Sequence, residues 1–490
     1  MNCLEQQMHS TLFVRTNRGV QLTPEGEKLY MYVSAAMHQL LTAEEELADY
    51  SGMVHGSISI GASETALNIY LFDKLRSFHT AYPGIRLRIY NHSTPEAVDA
   101  VKSGKQSRRW NFIEEKGDGM YVYDEEGNEY LDFFGGIAVN STGNCNKKVA
   151  AAIADQCQNV IHASNYAYTL PMILLAKKIC ETIGMEKVLF QNSGTETNEA
   201  MIKMARKYGT DHYGPEHYHI VTAINSFHGR TYGALSATGQ PDNACQIGFK
   251  PMLPGFTYAE FNNLEDFKSK CTKDTVAIMV EPVQGEGGVY PATEEFLKGL
   301  RAYCDETGIL LLFDEVQTGW GRCGDTMAFM TYGVKPDMVS MAKAIGGGMP
   351  IGALCTSAEL ASAFTPGAHG STYAANPVCC AAALAEIDEI LDNHLAENAK
   401  ETGAYFVEQL YSLPYVKEVR GRGLLIGVEF TKPIANEVKH LAVENRLLIT
   451  AVRPNVIRMA PPLIVTKEQC DKAVQILIKC VSKAAEEADA

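Results

Sequence analysis

Ile309-Leu310-Leu311-Leu312-Phe313-Asp314-Glu315-Val316-Gln317-Thr318-Gly319 is an apolar run that stops on two carboxylates and then turns. Consecutive apolar residues without polar alternation suit a strand covered on both faces, as in a mainly parallel sheet. Lys187-Val188-Leu189-Phe190 and Val276-Ala277-Ile278-Met279-Val280 have the same character, and helical segments such as Glu294 to Glu306 separate such runs. From Met120 onward this alternation predicts an α/β enzyme. After Asn376-Pro377 a long Ala-rich helical stretch opens a second, smaller domain that runs to the C-terminus. Neither internal repeats nor a low-complexity linker interrupt the chain.

Each apolar run ends in polar chemistry. Val280 is followed by Glu281, Phe313 by Asp314, and Phe190 by Gln191-Asn192-Ser193-Gly194-Thr195. Ligand sites of open α/β sheets lie beyond the carboxyl ends of the strands, so these ends should converge on one crevice. Any one of these acidic residues, taken alone, reads more readily as a helix N-cap. Taken together, they read as a site. Ser193-Gly194-Thr195-Glu196 precedes a helix starting near Asn198, where free backbone N–H groups, glycine and hydroxyls suit a phosphate. By itself this turn is a weak signal.

Ser340-Met341-Ala342-Lys343-Ala344-Ile345-Gly346-Gly347-Gly348 says more. A lysine among small and apolar residues is disfavoured as an ammonium, leaving a neutral amine able to condense with an aldehyde. The bland alternative is a lysine snorkelling from the edge of a core.

Asp314-Glu315-Val316-Gln317-Thr318-Gly319, with Lys343 following Asp314 by 29 positions, resembles the class III aminotransferases of the fold-type-I pyridoxal-phosphate superfamily. Ser226-Phe227-His228-Gly229-Arg230, Glu281-Pro282-Val283-Gln284-Gly285-Glu286 and Gly370-Ser371-Thr372 narrow the likeness to the acetylornithine aminotransferases, from about Arg109 to the C-terminus. The resemblance implies a large domain on a mainly parallel, seven-stranded-type sheet (161–375), a smaller α+β C-terminal domain (376–490) and an N-terminal segment (105–160). It implies pyridoxal 5′-phosphate as cofactor and no metal. Lys343 would bear the cofactor and then move the substrate proton as general base and acid, while Asp314 would keep the pyridine nitrogen protonated. Phe227 and Val316 would sandwich the ring and Gln317 would meet its hydroxyl side. Ser193, Gly194 and Thr195 would hold the phosphate, joined by Thr372 from the second subunit of a homodimer. The substrates implied are an acetylornithine-like amine donor and 2-oxoglutarate, taken in turn, in arginine biosynthesis. Arg230 would grip the donor's carboxylate and Arg458 a carboxylate of 2-oxoglutarate, the planar guanidinium suiting both. Glu286 would pair with Arg458 while the donor is bound and swing away for the dicarboxylate. Ser371 would lie near the acyl-ornithine, and Glu281 would line the substrate site. Enzymes using ornithine, succinylornithine, 4-aminobutyrate or diamines share this frame.

Three departures from the family pattern stand out. Gln106-Ser107-Arg108-Arg109 occupies the place of a Thr-Tyr-x-Arg motif, with Ser107 for the pocket-lining Tyr, which bears on full activity and dimer closure. Asn144-Cys145-Asn146 stands where His-Cys-His is common, and Thr197 where Ala is usual.

The first hundred residues read as a different protein. Thr23-Pro24-Glu25 caps a helix whose apolar positions run from Leu29 to Leu47, down to the Tyr50-Ser51-Gly52 break. Ile58-Ser59-Ile60 and Ile85-Arg86-Leu87-Arg88-Ile89 read as strands, with a helix from Leu67 to Ala81 between them and a turn at Pro83-Gly84. Leu12-Phe13-Val14-Arg15, Leu22-Thr23-Pro24-Glu25-Gly26 and His55-Gly56-Ser57-Ile58-Ser59-Ile60-Gly61 resemble a slice of the LysR-type transcription regulators. That likeness implies a partial winged helix with its linker helix (1–55) and the start of a periplasmic-binding-like effector domain (56–104). Met1 would fall late in the recognition helix, without the helices that hold it in a groove. Residues 1–104 carry 8 Lys+Arg against 11 Asp+Glu, a poor footprint for DNA. The expectation is a fusion remnant that does not bind DNA.

The whole chain agrees with an enzyme rather than a nucleic-acid binder. Its 490 residues are 46% hydrophobic and 21% charged, with a net charge of −15. The 13 cysteines include no C-x-x-C pair and read as reduced thiols. Neither a secretory signal nor a membrane-length apolar run is evident, so the expected location is the cytoplasm.

Overall fold

A computed structural model describes residues 112–489 continuously, and before them 11–16, 19–25, 29, 56–61, 72–82, 85–90 and 110. The chain forms two units, Met1–Asn111 and Phe112–Ala490. In the first, β1 (Phe13–Thr16) and β2 (Gly19–Leu22) make an antiparallel hairpin, while β3 (Gly56–Gly61) pairs in parallel with β4 (Ile85–Tyr90). A helix, α1 (Phe72–Ala81), lies between β3 and β4 in sequence, making a strand–helix–strand unit. The helix expected through Leu29–Leu47, the Tyr50-Ser51-Gly52 break, the Pro83-Gly84 turn and the Gln106–Arg109 segment lie outside the described residues.

The second unit begins with a meander, β5 (Glu114–Asp118), β6 (Tyr121–Asp124) and β7 (Glu129–Asp132), followed by α2 (Lys147–Cys157) and α3 (Leu170–Ile183). The seven-stranded sheet is then laid down from β8 (Lys187–Gln191), β9 (His219–Ala223), β10 (Phe256–Ala259), β11 (Thr275–Val280), β14 (Leu310–Asp314), β15 (Met338–Met341) and β16 (Gly352–Thr356). A short hairpin, β12 (Val283–Gln284) and β13 (Tyr290–Pro291), follows β11. The strand order is β10-β9-β11-β14-β15-β16-β8. Only β16 runs antiparallel to its neighbours, so the sheet is mixed but mainly parallel. Every residue of β11 and β14 is buried, as unbroken apolar runs between two helical layers should be. At the sheet edge β8 is covered less, and Lys187 is exposed.

The helices obey local rules. In α5 (Glu294–Thr307) the Thr293 hydroxyl accepts from Phe296 N at 3.1 Å, Glu294 and Glu295 sit in the first turn, and Gly308 closes the end in a left-handed conformation. Phe296, Leu297, Leu300 and Cys304, spaced by helical turns, are its buried stripe. On the other side of the sheet α4 (Gly194–Tyr213) buries Met201, Ile202, Met204 and Ala205.

Beyond residue 376 come α6 (Pro377–Asp392) and α7 (Leu395–Leu410), then β17 (Val416–Arg422) and β18 (Leu425–Phe430), α8 (Ala435–Glu444), β19 (Leu447–Leu448), β20 (Thr450–Arg453), β21 (Val456–Met459) and α9 (Lys467–Asp489). Four of these strands form an antiparallel sheet of order β17-β18-β21-β20. Meanwhile β19 leaves it to pair in parallel with β7, joining the start of this unit to its end. Among the described residues no helix is long and apolar enough to cross a membrane.

Candidate active site

The carboxyl ends of the parallel strands define the site. Asp314 closes β14 and is 4% exposed. Its Oδ2 accepts from Asn198 Nδ2 at 2.7 Å and from His228 Nδ1 at 2.8 Å, and its Oδ1 accepts from Val316 N at 3.0 Å. Ser340, near the end of β15, reaches Oδ1 only at 3.5 Å, and its single hydroxyl proton is committed to Asn198 Oδ1 at 2.6 Å. One lone pair of Oδ1 therefore remains for another N–H donor. Two residues past β15, Lys343 sits partly buried in the left-handed region at φ 48°. Burial dominates its amine and lowers it to about 8; Glu286 pulls upward and Arg458 pushes further down.

Glu281 follows β11 and accepts from Phe227 N at 3.0 Å. Burial first, and the Asp314 charge second, push its carboxyl well above the usual range. Phe227 and Val316 are partly buried, and the Arg230 guanidinium lies 5.7 Å from the Phe227 ring centre, exposed. Ser193 caps α4, accepting from Glu196 N. Thr195 Oγ1 accepts from Arg230 N at 3.3 Å and bonds Thr231 Oγ1 at 2.9 Å. A Cβ on Gly194 would stand 2.6 Å from Val316 Cγ1, so only glycine lets the helix start approach that side chain.

A second cluster faces the first. Arg458, 4% exposed on β21, donates through Nη1 to Glu286 Oε1 at 2.5 Å and to Gln317 Oε1 at 3.2 Å. Burial alone would raise the Glu286 carboxyl, but Arg458, and then Lys343, outweigh it and bring it to about 2. Ser371 Oγ accepts from Asn192 Nδ2 at 2.9 Å, next to the phosphate-type turn, whereas Thr372 is exposed.

Compared with known proteins, residues 103–481 match the family aminotransferase class-III. The chain belongs to the class-III aminotransferases. It is 45% identical over 379 residues to the acetylornithine aminotransferase of Caldanaerobacter subterraneus subsp. tengcongensis, covering 76% of this chain and 96% of that one. Against the acetylornithine aminotransferase of Methanocaldococcus jannaschii it is 46% identical over 366 residues, 74% of this chain and 91% of that one. Among solved structures, the ornithine aminotransferase of Toxoplasma gondii superposes with a TM-score of 0.76 at 32% identity, covering 81% of this chain and 96% of the other. This aminotransferase has the fold-type-I architecture and uses pyridoxal phosphate.

The residues present fit that group. An amine lowered to about 8, a buried carboxylate with one free lone pair and a helix start opened by glycine supply what an aldehyde, a ring N–H and a phosphate require. Asn198, Ser340 and His228 orient Asp314, yet reading the sequence assigned them no role. His228 lies inside a quoted motif and was within reach of such reasoning; Asn198 and Ser340 come from separate elements whose meeting only the fold reveals. Of the family departures, Asn144 donates to Asp132 Oδ2 at 2.9 Å, Asn146 caps α2, and Thr197 donates to Ser193 O at 2.8 Å.

Proposed function

We propose that the protein transfers the terminal amino group of N2-acetylornithine, or a related ω-amino donor, to 2-oxoglutarate. The observation that carries this reading is the Glu286–Arg458 pair at 2.5 Å, in electrostatic reach of Lys343. A buried guanidinium satisfied by an internal carboxylate accommodates a donor with no distal acid; release of Glu286 frees the same fork for the second carboxylate of a 2-oxo diacid. When bound, pyridoxal phosphate supplies an aldehyde for amines and a protonated ring that accepts the electron pair left as the substrate carbon loses its proton. Lys343 Nζ takes up that proton and returns it. Asp314, fixed by Asn198, His228 and Val316 N, would hold the ring nitrogen protonated. Phe227 and Val316 would cover the two ring faces, Gln317 would border its hydroxyl side, and Ser193, Gly194 and Thr195 would hold the phosphate. Arg230 takes the donor carboxylate, Ser371 borders its acyl group and Glu281, its carboxyl raised by burial, lines the pocket.

The site is completed, in this reading, by a second copy of the chain that brings Thr372 to the phosphate. Support comes from the apolar residues left uncovered in one chain: Tyr166 is 97% exposed, Tyr168 86%, Leu170 68% and Tyr373 65%. The N-terminal unit is read as a remnant of a LysR-type regulator without DNA binding, and the enzyme as cytoplasmic, in accord with its free thiols.

Steady-state assay of the holoenzyme against acetylornithine, succinylornithine, ornithine and 4-aminobutyrate tests the substrate. Acetylornithine should turn over best. Good activity with 4-aminobutyrate and none with acetylornithine would overturn the assignment. Light scattering should give twice the chain mass, and Thr372→Ala should weaken cofactor retention; a monomer with normal retention would refute the shared site.

A further inference from the structure

Glu286 is the second residue of a hairpin tip, Gly285–Val289, between β12 and β13. Three consecutive residues of that tip are each gripped by a different arginine. Arg458 Nη1 donates to the Glu286 carboxylate at 2.5 Å, Arg453 Nε to the Gly287 carbonyl at 3.2 Å, and Arg420 Nε to the Gly288 carbonyl at 2.9 Å. All three arginines belong to the four-stranded sheet of the C-terminal region, on β21, β20 and β17. Arg420, Gly427 and Arg458 stand in one row across β17, β18 and β21. Gly427, in the middle of the row, has no side chain; a Cβ there would meet Val289 Cβ at 2.8 Å and Gly288 O at 3.3 Å. The tip thus rests on the bare backbone of β18, with a guanidinium on either side.

The two arginines that hold the tip's carbonyls, Arg420 and Arg453, differ in what else they hold. Arg420 is charge-balanced by Glu429 at 2.5 Å and Glu418 at 2.8 Å, and its guanidinium lies 3.9 Å from the Tyr290 ring centre. Arg453 forms no ion pair among the described residues; its other contact is Asn225 Oδ1 at 2.8 Å. A cation held only by neutral acceptors beside a moving carboxylate is unusual for a purely structural contact, because a carboxylate partner would hold it more firmly.

We propose that Arg453 and Arg420 are positioning residues which pin the backbone of Gly287 and Gly288, so that only the Glu286 side chain moves when a substrate carboxylate displaces it from Arg458. This inference rests on the substrate exchange proposed above. With the carbonyls held, leaving Arg458 is a side-chain rotation. Without them, the tip drifts, the Glu286–Arg458 pair forms less completely, and a buried guanidinium stays unbalanced while the amine donor is bound. The defect falls on the half-reaction that needs the pair closed. The half-reaction that needs it open is spared.

Arg453→Met tests this in the holoenzyme, because its loss strands no carboxylate, whereas removing Arg420 would leave buried Glu429 with Lys417 as its one cationic partner among the described residues and so disturb more than the tip. KM for acetylornithine should rise about tenfold, the scale of one charge-assisted hydrogen bond. KM for 2-oxoglutarate should stay level or fall, and kcat should remain within about twofold. Arg453→Lys should recover part of the donor KM. Asn225→Gly, which keeps the left-handed backbone and removes only the second anchor of Arg453, should shift the same ratio less, and serves if Arg453→Met does not fold. Glu286→Gln is the control for the underlying exchange. If Glu286→Gln changes the ratio of the two KM values and neither Arg453 nor Asn225 variants do, the pinning role is refuted and the exchange stands. If Glu286→Gln leaves the ratio untouched, the exchange fails and the proposal with it. An Arg453→Met enzyme with both KM values raised alike, or with only kcat lowered, also overturns the proposal.

Discussion

Two sheets supply this site, and they do so differently. The seven-stranded sheet contributes at strand ends: Asp314 closes β14, Glu281 follows β11 and Lys343 follows β15, each reaching from a separate strand. The four-stranded sheet contributes from within its strands, with Arg420 and Arg458 in one row about a glycine. Residues just past a strand, as Glu281 and Lys343 are, sit on turns free of ladder geometry, so charge and reach can vary there without disturbing the strands. Residues in a row share the rigidity of the ladder, and moving one moves the others. On the function proposed above, Lys343 and Asp314 stand on the first kind of support and Arg458, the partner of Glu286, on the second.

Substitutions separate these two roles. The largest effect should come from Lys343→Ala, which removes both the cofactor's anchor and the proton carrier; turnover should fall by at least about a thousandfold, with loss of the visible absorption of lysine-bound cofactor. Asp314→Asn should cost about a hundredfold or more in kcat while leaving the ratio of the two KM values unchanged, since it weakens electrostatic support of the ring and touches no substrate-selecting group. If that ratio moves, the division between the sheets is wrong. The Lys343 amine gives a pH signature. Because its affinity for protons is lowered to about 8, the neutral form grows from a minor share at pH 7 to the majority above pH 8. Capture of pyridoxal phosphate by the apoprotein should therefore accelerate about tenfold from neutral to mildly alkaline pH and then level off. A rate that keeps climbing beyond pH 9 would mean an ordinary, solvated lysine. Smallest should be Gly427→Ala: its Cβ lifts the Val289 end of the tip, raising donor KM about threefold and lowering Tm by a few degrees, with the cofactor spectrum intact.

The legible part of the molecule was the part written locally. Strands β11 and β14 were readable because unbroken apolar runs need no partner to be recognised, Asp314 because it stands just past such a run, and Lys343 because small and apolar residues and a glycine run surround it. The pair of Arg458 with Glu286 came through resemblance, not spacing. Arg420 and Arg453 stayed hidden because their meeting with residues 287 and 288 depends on the register of three short strands, shifted by a bulge between Ala451 and Arg453. No periodicity carries such information. The Asn198–Ser340–Asp314 knot was equally invisible, joining a helix to two strands across 142 positions of chain. Pairing of β19 with β7 was not anticipated either, since a two-residue strand leaves almost no pattern to read.

That last pairing governs how the protein can be made. Leu131 finds its parallel neighbour only at Leu447, so an emerging polypeptide must wait for nearly its whole length before this ladder can close. Until then β7 offers an unguarded flank to any extended peptide nearby. Fragments ended before residue 447 should for that reason precipitate or seek chaperones, however well their central sheet has formed.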